Sequence, residues 1–443
     1  MASSTTQENL SPKPLNLAII GGGLAGLALT IGIFKQNPNI KPTIYEAAPG
    51  FAEIGLGVAF GPNAARAMSL ISPDILKGFK KHSTSNENAE RANTWLSFRY
   101  GMQSRNSNGM GYGDLIWHLE GPVGEMGEWM EREGITTRSC VHRARFLEEL
   151  AALVPKGTAK FGKCLIGVEE LGEGGVKLRF ADGESVVVDA VVGCDGVKSI
   201  TRETLMGKSI KPQFTGEYGY RALVPETIAR GVMGDELAQN GQLYCGYGSY
   251  IITYPVEHGK LINMVAVKEK ADFEWDNENW IIPSTKEDML KDFEGWGENL
   301  VELISRFEVR DKWGFFDFPH TTRYFRGRIC LLGDSAHAST PHLGAGAGMA
   351  FEDAYILSNL LGAVKQPADF EKAFRGFDET RRSRTQRLIM DSRRAGIANK
   401  FEGEGIGDNL EKLQPDIDAR YRWVWEFDLE VTLIEAKKIS FLF

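Results

Sequence analysis

Gly21, Gly23 and Gly26 stand in the spacing Gly-x-Gly-x-x-Gly, with Leu24 and Ala25 between the last two, and Glu46 follows 20 residues after Gly26. Such a set can hold a dinucleotide. Gly21 permits a tight turn, Gly23 lets backbone approach a pyrophosphate, and Gly26 lets a helix pack close to a strand. A helix starting there offers the phosphates its N–H groups and the positive end of its dipole. Glu46 can accept from both ribose hydroxyls, which suits the unphosphorylated ribose of FAD or NAD. A second set lies far along the chain: Gly333-Asp334, then His337, Pro341 and His342, then Gly344, Gly346 and Gly348. These glycines open another helix, and Asp334 at a strand end can accept from a ribityl hydroxyl. Between the two sets stands Gly193-Cys194-Asp195-Gly196, with Ser199 and Arg202 at helix-entry spacing. Glycine-rich helix starts this far apart suit one long, extended cofactor, which favours FAD over NAD.

The elements that must position these residues are legible as well. LNLAII, residues 15–20, is a continuous apolar run, as expected of a strand buried on both faces of a parallel sheet. LALTIGIFKQ has helical spacing, and KPTIYEAAPG gives a second short strand ending at Glu46. Val186–Val192 and Ile329–Leu332 read as strands leading into the other two turns. The pattern predicts an α/β fold with a Rossmann-like domain. Residues 210–325 change character: QFTGEYGYRALVP and QLYCGYGSYIITYPVEHGKLINMVAVK are rich in β-branched and aromatic residues, with turn signals between them. They predict a mainly antiparallel sheet with hairpins, inserted between the cofactor motifs and roofing the cofactor. Residues 365–395 predict a long amphipathic helix with its arginine cluster on a solvated face. The WVWEFD segment of the tail is expected to pack against the core. The organisation expected is a disordered lead-in over 1–14, a first cofactor-binding part over 15–209 that includes some strands of the substrate layer, a substrate-binding β-sheet domain over 210–325, and a second cofactor-binding part with C-terminal helices over 326–443.

Composition narrows the function. The 443 residues carry 51 Lys+Arg against 59 Asp+Glu, a formal net charge of −8, with 42% hydrophobic residues. A mildly acidic chain without a basic block is a poor partner for nucleic acid or an anionic membrane. No run approaches the ~18 apolar residues needed to cross a bilayer, and the polar start has no apolar signal region. Five scattered cysteines, Cys140, Cys164, Cys194, Cys245 and Cys330, read as buried free thiols of a reducing compartment. No Cys/His cluster has zinc spacing. A cytoplasmic protein without a metal is expected.

The three motifs, in this order and at these separations, resemble those of the class A flavoprotein aromatic hydroxylases, the para-hydroxybenzoate hydroxylase fold group. These carry a GR2-type FAD/NAD(P)-binding domain with one FAD and no second nucleotide domain. The likeness runs from about Asn16 to about Arg394. IYEAAPGFAEIGLGVAFGPNAARAM, VHRARFLEELAALVP, YGSYIITYPVEHGKLINMVAV, LKDFEGWGENL and HLGAGAGMAFEDAYIL are similar to salicylate hydroxylases, and fungal phenol and polyketide hydroxylases share much of this pattern. The resemblance implies that Glu46 binds the adenosine ribose and that Ala59 lies beside the flavin. Arg143 would contact the FAD phosphates or ribityl chain, which Asp334 would also hold. Ala347, flanked by Gly346 and Gly348, would donate its N–H toward the flavin, and Asp195 would shape the nicotinamide and pyrophosphate side of the cleft.

The reaction implied is hydroxylation of a small phenol with O2 and NADH or NADPH, through a C4a-hydroperoxyflavin. Phenols react this way because a phenolate pushes electron density onto the ring, so the site needs a group that favours phenolate and dry walls. His342, after Pro341, matches the histidine assigned to substrate activation in salicylate hydroxylases, and an imidazole titrating near ~6.5 suits general-base work. His337 reads as structural. Arg221 and Tyr250, on neighbouring strands of the predicted sheet, match an arginine and a tyrosine that hold the phenolate in the polyketide enzymes, and Arg221, Lys260 or Lys268 could pair with a substrate carboxylate. The reading reached is a salicylate 1-monooxygenase giving catechol and CO2. The alternatives are hydroxylation or dearomatisation of a larger polyketide or isoflavonoid phenol and, more remotely, a non-catalytic flavin-fold protein that binds partners.

Overall fold

The computed structural model describes residues 13–51, 57–106, 109–270, 275, 279–306 and 310–441. All but the last two residues of the expected lead-in, and residues 52–56 of the IYEAAPG segment, lie outside the described residues. Leu15–Ile20 is buried at every position but Asn16 and lies inside a six-stranded sheet. The order is Phe325–Arg326, Ile329–Leu331, Ala190–Gly193, Leu15–Ile20, Ile40–Tyr45, Ala159–Lys160, parallel throughout except at the Phe325–Arg326 edge. Burial on both faces is why these strands read as unbroken apolar runs. Gly21 has φ +101, and a Cβ there would lie 2.5 Å from the Cys194 carbonyl oxygen. The first glycine turn therefore rests directly on the Cys194 turn, which brings two motifs far apart in sequence into contact. The helix Leu24–Gln36 then packs along Gly346–Leu361, which brings in the third.

The second layer is an eight-stranded sheet ordered Ile281–Pro283, Asp311–Asp317, Gln213–Pro225, Leu261–Glu269, Ser249–Val256, Gln242–Cys245, Thr94–Tyr100, Leu115–Glu120. Only the pairing of Gln242–Cys245 with Thr94–Tyr100 is parallel. The fold class expected from the sequence is the one observed. The long strand Gln213–Pro225 shows how its alternation serves two faces. The hydroxyls of Tyr218 and Tyr220 each donate to Asp292 at 2.7 Å, and their rings join a core with Phe293 and Trp296. Glu217 and Arg221 alternate with them and face the other layer. A bulge at Gly216, φ +84, shifts the register between Phe214 and Tyr218.

Three sequence expectations need correction. The run Val186–Val192 is two strands, Ser185–Val188 and Ala190–Gly193, because the Asp189 carboxylate turns to accept from the Asn16 N–H at 2.7 Å. The predicted helix is Asp369–Asn399, but its arginines are not all solvated. Arg381 and Arg384 are buried, since Gly346–Leu361 presents two buried carboxylates to them. Arg381 meets Glu352 and Asp353, and Arg384 meets Glu352, all at 2.8 Å. Of the five cysteines, Cys164 is exposed and the other four are buried and free. The tail does pack inward, with Val424 and Trp425 buried. No described helix is long and apolar enough to cross a membrane, and no described group of His, Cys, Asp and Glu could hold a metal ion.

Candidate active site

A cavity of about 520 Å3 is lined by residues of both layers. One wall is made of helix starts and turns: Gly23, Leu24 and Ala25, then Cys194 and Gly196, then Asp334, then Gly346 and Ala347. Neither Leu24–Gln36 nor Gly346–Leu361 has a side chain capping its N-terminus. Two helix ends with their first-turn N–H groups uncapped at one cavity suit an anionic, polar-ended ligand. Arg143 and Ala59 line the same space, the latter from the short strand Gly57–Phe60, paired with Ser139–His142. The opposite wall is the inner face of the large sheet. Leu243, Tyr250, Ile252, Tyr254, Asn263, Val265, Arg221 and Trp313 stand there at the two-residue period of their strands.

Not every expected cofactor residue reaches the cavity. Gly21, Gly26, Glu46, Asp195 and Gly348 do not line it. Gly21 and Gly26 shape the turn. The Glu46 carboxylate accepts from the Gly22 N–H at 2.6 Å and the Ala48 N–H at 2.8 Å, which fixes it at the end of its strand with lone pairs to spare. Asp195 is occupied within its own turn: it accepts from the Ser199 hydroxyl at 2.5 Å and from the Thr201 N–H and hydroxyl at 3.0 Å. Burial raises its carboxyl above the usual range against these bonds. His337 is bound to Asp353 at 2.5 Å, with both side chains fully buried.

The three residues expected to meet the substrate all line the cavity, but Arg221 and Tyr250 are not on neighbouring strands, since Leu261–Glu269 runs between theirs. The Tyr250 hydroxyl lies 2.8 Å from His342 Nδ1, and His342 Nε2 lies 3.0 Å from Glu217 Oε2. The other Glu217 oxygen is 2.8 Å from the Lys400 ammonium, which also contacts Glu269. Burial alone would raise the Glu217 carboxyl. The neighbouring His342 ring and Lys400 ammonium more than offset it and hold it down at about 2. Burial pushes the Tyr250 hydroxyl well up, so it is a neutral phenol. The His342 ring is wedged edge-on against Tyr250 and Phe315, and its other side rests on Gly396, where a Cβ would come 2.5 Å from Nε2. Arg221 is largely buried, has no carboxylate partner among the described residues, and its Nε is unpaired; Trp313 lies under its guanidinium, 4.9 Å from the ring centre. Burial lowers its pKa.

Sequence reasoning missed Glu217, Lys400, Asn263 and Arg138. Glu217 and Arg221 are four residues apart on one strand, so strand parity alone places them on the same face. The same rule, applied from Tyr250, finds Ile252 and Tyr254. Arg138 carried no such signal; it lies over the Tyr254 ring at 4.4 Å and donates to the Trp95 carbonyl at 2.9 Å. Lys400 follows a 31-residue helix whose end no local pattern marks as part of a site.

An FAD-binding-domain family matches residues 143–392 of this chain. A 6-methylsalicylate 1-monooxygenase of Aspergillus terreus is 36% identical over 422 residues, covering 94% of this chain and 90% of that protein. A salicylate hydroxylase of Pseudomonas putida is 32% identical over 442 residues, covering 96% of this chain and 95% of its own. The solved structure of a salicylate hydroxylase substrate complex superposes with a TM-score of 0.82 at 32% identity, covering 96% of this chain and 98% of that one. The chain belongs to the salicylate hydroxylase family of FAD-dependent aromatic monooxygenases. As a member of it, it uses FAD, an aromatic substrate, O2 and NAD(P)H, which sets aside the reading as a non-catalytic partner-binding protein. The residues present fit the cofactor. The two uncapped helix ends, Arg143 and Asp334 surround one side of the cavity and leave the sheet side for the substrate.

Proposed function

We propose that this monooxygenase acts on a small phenolic acid of the salicylate class, at the ring carbon bearing the carboxylate, with release of CO2 and formation of a catechol. One observation carries the reading: a single cavity pairs the Arg221 guanidinium, which has no carboxylate partner among the described residues, with the Tyr250–His342 couple. The strand Leu261–Glu269 lies between their two strands, so the backbones stand roughly 10 Å apart, about the span of a substituted benzene ring with its end groups. Burial disfavours the charge on Arg221, and a bound carboxylate would compensate it. The Asn263 amide, buried on the same wall beside Tyr254, is a further donor within reach of such a group. The relatives act on salicylate and 6-methylsalicylate, which supports the same class.

FAD, which the uncapped helix ends with Arg143 and Asp334 would hold, would carry electrons from NAD(P)H to O2 and pass one oxygen atom of that O2 to the ring. The chain's own residues do the rest. Arg221 orients the carboxylate, Tyr250 and His342 take up the phenolic proton, and Leu243, Ile252, Val265 and Trp313 exclude water. One NAD(P)H and one O2 are consumed for each catechol, CO2 and water formed. The test is turnover with salicylate, measuring all three: catechol, CO2 and NAD(P)H loss in equal amounts support the reading. If NAD(P)H oxidation with salicylate yields only hydrogen peroxide while a larger carboxylate-free phenol is oxygenated, the polyketide-type reading replaces it.

A further inference from the structure

Glu217 belongs to no cofactor motif, yet it is a buried carboxylate with one oxygen on His342 and the other beside Lys400. We propose that Glu217 is a positioning residue for substrate deprotonation: it fixes the tautomer of His342 so that the Tyr250 oxygen becomes a proton acceptor toward the cavity. The inference rests on the phenol reading above and deepens it.

The direction of each bond follows from charge. An ionised carboxylate can only accept, so His342 carries its proton on Nε2 and donates it to Glu217 at 3.0 Å. In the form of the ring with a single proton, Nδ1 is then an acceptor, and the Tyr250 hydroxyl donates to it at 2.8 Å. In that form the Tyr250 proton points toward His342, away from the cavity, and the oxygen's free lone pair faces whatever lies inside. A phenol bound there donates to Tyr250. On deprotonation the substrate O–H breaks and its proton joins the Tyr250 oxygen. The Tyr250 proton moves to His342 Nδ1, and the imidazolium so formed keeps its Nε2–H on Glu217. After oxygen insertion the ring–carboxylate bond breaks, its electron pair restores the aromatic ring, and the ring oxygen takes the proton back through Tyr250. The couple thus returns to its starting state without a water entering the cavity.

With Gln at 217, the side-chain amide can donate to Nε2. The proton then sits on Nδ1 and the Tyr250 hydroxyl turns into the cavity as a donor. The charged and titratable groups facing this unit are Lys400 with Glu269 and Glu402 behind it, Arg393 paired with Asp317, and Arg221, Cys245 and Tyr421 around Tyr250 and His342. Among them Glu402 stands at the solvent edge, its carboxyl raised to about 7 by burial and by the Glu269 carboxylate. Its carboxylate lies 3.9 Å from the Lys400 ammonium.

The experiment uses the FAD-loaded enzyme and a nitro-substituted salicylate, whose phenolate absorbs at longer wavelength than its phenol. Binding to the wild type at pH 7 should generate the phenolate band. Glu217→Gln should bind the same ligand within about threefold but lose the band, with kcat for salicylate down about 100-fold or more and KM little changed. Glu217→Asp should restore part of both. Should Glu217→Gln not fold, Glu217→Asp serves alone: it keeps the accepting charge but withdraws it by one methylene from Nε2, so band and kcat should both fall below the wild type while KM changes little. A wild-type band and kcat in Glu217→Gln, or in Glu217→Asp where that is the variant measured, overturns the assignment of Glu217. A wild type that neither binds nor oxygenates any salicylate overturns instead the phenol reading beneath it.

Discussion

Gly396 lies inside the helix Asp369–Asn399, where replacing Gly by Ala normally stabilises a protein by about 0.5–1 kcal/mol. Here the sign reverses. A methyl group at this position would come 2.5, 2.6 and 2.8 Å from Nε2, Cδ2 and Cε1 of the His342 ring. Ordinary contact needs about 3.5–4 Å, so ring or helix must move by roughly 1 Å. The ring has little freedom to give, because both its nitrogens are bonded, at 2.8 and 3.0 Å, within a buried site. Overpacking of this kind costs about 1–3 kcal/mol, and a buried hydrogen bond left unmade about 1–3 more. Gly396→Ala should therefore lose roughly 2–4 kcal/mol instead of gaining one, and a 1 Å displacement of a group that handles the substrate proton should lower kcat about 100-fold. Flavin absorbance, thermal melting and steady-state turnover of one preparation suffice. A variant that melts at or above the wild-type temperature and keeps its kcat would refute the argument that His342 is clamped from this side.

Further outcomes follow from the same geometry. His342→Ala should cut product formation by about 10²–10⁴ while the flavin spectrum stays intact; unchanged product formation would remove His342 from the reaction. Arg221→Ala should raise KM for salicylate about 10–100-fold, the worth of a charged hydrogen bond, and affect a phenol without a carboxylate much less. Arg381→Met leaves Glu352 and Asp353 short of a buried cation and should cost about 3–5 kcal/mol, read as a lower urea midpoint of the holoenzyme. For Glu217 the folded carboxyl is held at about 2 against its ordinary 4.5, so its stabilisation is complete above pH 4.5 and is lost as pH falls through 2. The difference is about 3 kcal/mol, and acid unfolding of Glu217→Gln should lack this part of the pH dependence.

Much of the fold was legible because each strand near the cofactor is buried on both faces and must be apolar throughout. The glycine turns announced themselves because only glycine permits the approach of Gly21 to Cys194. Motif and resemblance singled out Arg221, Tyr250 and His342, and the fold brings all three to one cavity. What escaped the sequence depends on partners distant in the chain. The solvated arginine face was misjudged because nothing local reveals that Glu352 and Asp353 meet Arg381 and Arg384 across two helices. Glu217 looked like any polar residue of a strand, and Lys400 like a residue closing a helix. Their meaning arises only where strand, helix end and loop meet around one imidazole.

The pleated wall over the cavity has an evolutionary corollary. Its strands are joined by main-chain hydrogen bonds that do not depend on which side chains point inward. Leu243, Ile252 and Val265 can thus be exchanged for larger or smaller aliphatic groups without disturbing the nucleotide-holding half of the molecule. New tastes among phenols can arise by single substitutions on two hairpins, while the oxygen-handling apparatus is inherited unchanged.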